Sequence, residues 1–186
     1  MRNILTNMKP ISDNNRDSWI YVCSRYAVAD TLHQTGCRYL LSISAVPEIP
    51  DNIELFSHKI IKFSDIDQPT ARNLPLAATR EDIVDIIEFG RIWAASGEKQ
   101  LVVNCQRGHR RSTAAALILL VLFNKGKETE CVDCFRNYAP HAEPNVWMIR
   151  IAEEILGTKG KMLEAVKALR PQPRSHRGVC KLPVFL

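Results

Sequence analysis

The chain has 186 residues, 46% of them apolar, with 25 Lys and Arg against 20 Asp and Glu and a formal charge of +5. That is enough apolar material for one buried core and too much for a disordered chain. The longest apolar run, residues 114–123, is about half of the roughly 20 residues a membrane-spanning helix needs, and residues 1–15 hold no leader-like apolar stretch, so a soluble, cytoplasmic protein is expected.

In chain order, residues 1–18 read as an N-terminal extension. Residues 19–23 are predicted as a strand, 24–35 as a helix stopped by Gly36, and 38–43 as a second strand, so the chain opens β-α-β. Residues 57–63 alternate as an extended segment and run into Ser-Asp-Ile-Asp-Gln-Pro at 64–69, a polar loop at a strand end. Residues 80–95 carry apolar side chains at helical spacing and end at Ser96-Gly97, the pattern of an amphipathic helix packed on a sheet. Leu101-Val102-Val103 is a short apolar strand, and 111–123 is a helix with almost no polar surface. Three further helices are predicted over 128–138, 145–156 and 161–169, divided by Pro140, Pro144 and the Gly157/Gly160 pair. The expected fold is a single compact α/β domain over 19–170, with a mostly parallel sheet of about four or five strands flanked by helices and a helical C-terminal third.

The charge is local. Residues 157–186 hold seven Lys or Arg against Glu164 alone, and residues 171–186 read as a basic tail whose plainest interpretation is a solvated, frayed end. Contact of this tail with nucleic acid or anionic lipid is the competing interpretation, resting on charge alone. Six cysteines without regular spacing imply thiols rather than a disulfide scaffold. Cys131 and Cys134 have redox or zinc spacing but no second ligand pair, and read as helix cysteines. Cys23 and Cys37 read as core thiols. His33, His58, His141 and His176 have no metal-like spacing and read as partly exposed polar residues.

Between the apolar strand and the apolar helix lies Asn104-Cys105-Gln106-Arg107-Gly108-His109-Arg110-Arg111-Ser112. Five residues between a Cys and an Arg form a loop that can curl around a tetrahedral dianion, with successive N–H groups pointing inward and the positive helix end behind them. Such surroundings lower a cysteine well below its free pKa of about 8.5 and yield the nucleophilic thiolate. Arg111 would grip two oxygens of the anion, and Gly108 permits the bend. The candidate anion-binding residues are Gln106, Arg107, Gly108, His109, Arg110 and Arg111.

Cys105, Gly108, Arg111 and Ser112 match in register the signature of cysteine-dependent protein tyrosine and dual-specificity phosphatases. Together with Pro-Asn-x-x-Met at 144–148 and Leu-Gly-x-x-Gly-x-Met at 156–162, they make residues 20–169 resemble a bacterial branch of that family. The resemblance implies a phosphomonoester hydrolase that uses no metal and no cofactor and acts on a phosphorylated protein or another phosphomonoester. Cys105 would be the nucleophile, Arg111 the oxygen clamp, Ser112 the donor to sulfur, and Asp65 the general acid, with Asp67 its rival two residues on. If segment 64–69 stays extended both carboxylates reach the site; if it turns only one does. Asp82 and Asp85 belong to the next helix and read as surface charges.

Two departures from the pattern stand out. Asn104 occupies the place of the family's His, from which a higher Cys105 pKa and slower chemistry are expected. Arg107, His109 and Arg110 are bulky and basic where small residues are common. They are either rim residues or extra cations for a polyphosphorylated substrate such as a phosphoinositide, an inositol phosphate or an RNA 5′-triphosphate. A weakly active phosphate-binding module also remains open, as does a rhodanese-like or arsenate-handling site, which the position of the motif at 105 disfavours.

Overall fold

The computed structural model describes residues 17–169 and 178–185. The N-terminal extension up to residue 16, Pro171, Pro173, His176 and the basic side chains of Arg170, Arg174 and Arg177 lie outside these. Five strands form one sheet in the order β3-β2-β4-β1-β5. They are β1 (Trp19–Ser24), β2 (Tyr39–Ile43), β3 (Ser57–Ile61), β4 (Gln100–Cys105) and β5 (Cys180–Pro183). The first four are mutually parallel, and β5 runs antiparallel along the free edge of β1.

Six helices flank the sheet: α1 (Val28–Thr35), α2 (Arg80–Ser96), α3 (Arg111–Phe123), α4 (Glu128–Tyr138), α5 (Val146–Leu156) and α6 (Lys161–Ala168). The predicted first helix is preceded by a 3-10 turn at Arg25–Ala27, so its α-helical part starts at Val28. It closes at Gly36, whose φ of 66° is the left-handed conformation a helix end requires. α1 covers one face together with Ile49, Ile53 and Leu55 of the segment before β3, packing Val28 and Leu32 on Cys23, Leu40 and Val102. The other face carries the large core, in which α3 is enclosed from Ser112 to Leu122. This explains its unbroken apolar sequence, since a helix packed between a sheet and its neighbouring helices has no polar face to show. α2 starts at a capping box in which Thr79 and Asp82 exchange side-chain and backbone bonds, so Asp82 has a structural task beyond being a surface charge.

Residues 178–185 correct the expectation of a frayed basic tail. Cys180, Leu182 and Val184 are buried in strand alternation, and Lys181 on the opposite side lies 4.0 Å from the centre of the Trp19 ring. The four-residue strand closes the sheet edge. No helix among the described residues is long and apolar enough to cross a membrane.

Candidate active site

β4 ends at Cys105 and α3 begins at Arg111, so the loop between them sits at the carboxyl ends of the parallel strands with the helix N-terminus behind it. Gly108 adopts φ 73°, and a Cβ there would fall 2.7 Å from the carbonyl carbon of Cys23 and 2.8 Å from the Ser24 nitrogen. Only glycine lets the loop lie against the end of β1. The Gly108 N–H in turn donates to Cys105 Sγ at 3.3 Å, and Ser112 Oγ lies 3.1 Å from the same sulfur.

Burial pushes the Cys105 thiol up. The Ser112 hydroxyl and the N–H groups of Ser112, Arg107 and Gly108 outweigh it, leaving Cys105 below the ordinary thiol value of 9.0. The other five cysteines go the opposite way: burial raises Cys23 and Cys131 to about 12, and Cys37, Cys134 and Cys180 to about 11. Cys105 is the one cysteine of the six whose surroundings lower it.

A pocket of about 240 Å3 opens above Cys105, lined by Asp65, Gln106, Arg107, His109, Arg110 and Arg111. With a water occupying roughly 30 Å3, the space admits a tetrahedral oxyanion. Arg111 donates from one terminal nitrogen to the Phe63 carbonyl at 3.1 Å, while its buried Nε has no hydrogen-bond partner and lies 3.9 Å from Asp65 Oδ2. The Phe63 backbone is itself held by Ser44, whose positive φ of 56° is compensated by side-chain bonds to both the N–H and the carbonyl of Phe63.

The Asp-bearing loop turns, with the Ile66 N–H bonding the Ser64 carbonyl at 2.9 Å. Asp65 lines the pocket. Asp67 is not among the lining residues; it accepts the Val146 N–H at 2.8 Å in the first turn of α5 and shares the Arg110 guanidinium with Asp65. Arg110 thus faces three carboxylates, Asp65 at 3.2 Å, Asp67, and Glu143 at 3.7 Å. Its charge is spent within the protein. Arg107 is exposed at the rim, and Gln106 bonds the hydroxyl of the exposed Tyr26. The His109 ring packs edge-on against His141 with centroids 4.9 Å apart, and His141 Nε2 is 3.7 Å from Cys180 Sγ. His141 is therefore buried, where the sequence suggested partial exposure.

Asn145, which entered the sequence reading only as part of the Pro-Asn-x-x-Met phrase, has a role at the site that the phrase did not announce. It accepts the Met148 N–H as the cap of α5 and donates from Nδ2 to Asp65 Oδ1 at 2.8 Å and to the Ile66 carbonyl at 3.3 Å. Its own backbone N–H reaches the Arg110 carbonyl at 3.2 Å. One buried residue joins the acid loop, the anion loop and α5. The sequence signals were an Asn before a helical apolar run, which announces a cap and not a bridge, and its place in the Pro-Asn-x-x-Met phrase. Among the described residues no group of three or more His, Cys, Asp or Glu is arranged to hold a metal ion.

The five-stranded, mostly parallel sheet and its six flanking helices match the fold of solved dual-specificity phosphatases. Two solved structures similar to it are human DUSP28, with a TM-score of 0.58, 12% identity and coverage of 81% of this chain and 96% of that one, and a mouse protein assigned to the dual specificity phosphatases and complexed with zinc tungstate, with a TM-score of 0.54, 11% identity and coverage of 89% and 97%. At such identities the likeness is one of fold. No family model and no curated protein sequence matches the chain.

Proposed function

We propose that the protein hydrolyses phosphomonoesters through a cysteinyl-phosphate on Cys105, acting on phosphotyrosine or mixed phospho-residues of proteins. The observation that carries this reading is the placement of the Cys105 sulfur at the pocket, where it takes the Gly108 N–H at 3.3 Å and lies 3.1 Å from Ser112 Oγ beside Arg111 and Asp65. In the first step Cys105 Sγ attacks phosphorus, the P–O ester bond breaks, and Asp65 gives its proton to the leaving oxygen. In the second, Asp65 takes a proton from water as that water attacks phosphorus, the S–P bond breaks, and thiolate and inorganic phosphate result. Arg111 and the loop amides hold the equatorial oxygens through both steps, supplying position and charge. Ser112 donates to the sulfur as it leaves. A thiolate of this kind works in a reducing compartment, consistent with a cytoplasmic location.

The reading of a polyphosphorylated substrate loses one of its supports, because Arg110 is neutralised by its three carboxylates. Arg107, exposed at the rim, is the loop cation that still supports that reading. The test is turnover of an aryl phosphate under reducing conditions, comparing wild type with Cys105→Ser and Asp65→Ala. Loss in the first and a leaving-group-dependent loss in the second are expected. Undiminished turnover by Cys105→Ser would overturn the reading, and vanadate-sensitive binding without any turnover by wild type would favour a phosphate-binding module.

A further inference from the structure

Asn104 immediately precedes the nucleophile, has no exposed surface, and has both ends of its amide engaged. Its Nδ2 donates to the Ala45 carbonyl at 2.9 Å. A carbonyl can only accept, so this contact decides which end of the amide is nitrogen, and Oδ1 must face Ser42. Ser42 Oγ lies 2.7 Å from that oxygen and must direct its single hydrogen there. The next neighbour of the hydroxyl is His58 Nε2 at 2.8 Å. Since the hydroxyl hydrogen is already committed, the imidazole has to be the donor, and His58 carries its proton on Nε2. One accepting carbonyl thereby sets the polarity of three side chains on three adjacent strands.

The strand register makes the series possible. Ser42 and Asn104 are directly paired on β2 and β4, while His58 on β3 pairs with Leu40, two residues before Ser42 and so on the same face. The hydrogens of His58 and Ser42 point from the sheet edge toward Asn104, whose own amide hydrogen goes on to the Ala45 carbonyl. The series thus ties the end of β4 to β2 and β3, and a fixed end of β4 keeps Cys105 Sγ within reach of the Gly108 N–H at 3.3 Å and Ser112 Oγ at 3.1 Å. Burial holds the His58 imidazole below its ordinary value. The polarity does not depend on that, because Nε2 keeps its hydrogen whether or not Nδ1 gains one.

We propose that His58, acting through Ser42 and Asn104, is a positioning residue for Cys105, bracing the end of β4 so that the sulfur stays on the donors that favour its thiolate. This rests on Cys105 being the nucleophile. The experiment is alkylation of Cys105 by iodoacetamide across a pH series in the full chain, read by peptide mass spectrometry, for wild type, His58→Leu, His58→Gln and Ser42→Ala. Aryl phosphate kcat and KM and the thermal midpoint are recorded alongside.

His58→Leu and Ser42→Ala are expected to move the alkylation midpoint up by about half to one pH unit, where one unit is a tenfold change in the ionisation constant. The same variants should lower kcat about 3- to 10-fold below that midpoint, with KM within about twofold, in line with a change in the fraction of reactive thiolate. His58→Gln keeps an N–H donor at similar reach and should stay close to wild type. An unchanged midpoint in folded His58→Leu, or a His58→Gln as impaired as His58→Leu, would overturn the proposal. Should Ser42→Ala not fold, His58 on the edge strand still carries the test. A wild type with a low midpoint but no turnover would defeat the phosphatase reading while leaving the midpoint shift to decide the role of His58.

Discussion

Asn145 Nδ2 donates to Asp65 Oδ1 at 2.8 Å across 80 residues of chain, and this bond, with Arg110 Nε on the same oxygen, leaves Oδ2 of Asp65 as the carboxylate atom nearer Arg111. An acid that has to reach a leaving oxygen needs its orientation set beforehand. Asn145→Ser keeps an oxygen able to cap α5 and removes the amide donor. We expect kcat to fall about 10-fold, less than the roughly 10²–10⁴-fold that a whole general acid supplies, because Arg110 still holds Oδ1, with KM little changed and the thermal midpoint within a few degrees. Steady-state kinetics beside a melting curve checks this.

Asp65 and Asp67 should separate cleanly. Asp65→Ala is expected to lower kcat by about 10²–10³-fold on phenyl phosphate, whose leaving group needs a proton, and much less on an activated nitrophenyl ester. Asp67→Ala loses the Val146 N–H bond and a partner of Arg110, and should cost about 1 kcal/mol of stability with a smaller effect on the leaving-group dependence. Kinetics on the two esters and denaturant unfolding of both variants measure this.

The thiols predict opposite pH trends. Cys105 is depressed in the folded state, so its contribution to stability is present above the unfolded thiol value of 9.0 and is lost as pH falls through its folded value. The other five are raised, so their contribution is intact below 9.0 and is lost as pH climbs toward about 11 and 12. Alkaline unfolding should therefore set in above pH 9 and be delayed by Cys23→Ala or Cys131→Ala relative to their stability at neutral pH. Urea unfolding at a series of pH values gives the slope.

Gly108→Ala places a Cβ against backbone atoms of Cys23 and Ser24 and forces a side chain onto φ 73°. Backbone cannot yield as a flexible side chain can, so the loop must move. The expected result is near-complete loss of activity and a stability loss of about 1–3 kcal/mol, seen in turnover and in the unfolding midpoint.

Leu182 is fully buried at the sheet edge. Leu182→Ala should cost about 2–5 kcal/mol, whereas a solvated tail would make the substitution silent. Chemical denaturation distinguishes the two.

The strand, loop and helix around Cys105 were legible because each is a local pattern: an apolar run of strand length, a Cys-to-Arg spacing, and an apolar run of helix length. β5 was not legible. It is four residues long, ends in Pro183 and sits among basic residues, and its only sign is the alternation of Cys180, Leu182 and Val184. Its stability comes from pairing with β1, some 160 residues earlier, which no local window contains. The choice between Asp65 and Asp67 stayed open for a similar reason. The turn at Ser64 and the cap site at Val146 that divide them are set by tertiary contacts. For Arg110 the sequence left open a rim residue or an extra cation for substrate, and its ion pairs were hidden because the three carboxylates around it come from two distant loops. His58 read as an isolated polar residue because its partner Ser42 lies on the neighbouring strand.

The most direct test of the account is mass spectrometry of Asp65→Ala quenched in acid during turnover of a nitrophenyl phosphate, a substrate that forms the intermediate readily while its hydrolysis lacks a base. The account predicts one phosphoryl group on the peptide carrying Cys105, absent from Cys105→Ser. Turnover with the phosphoryl group on another residue, or turnover retained by Cys105→Ser, would contradict it.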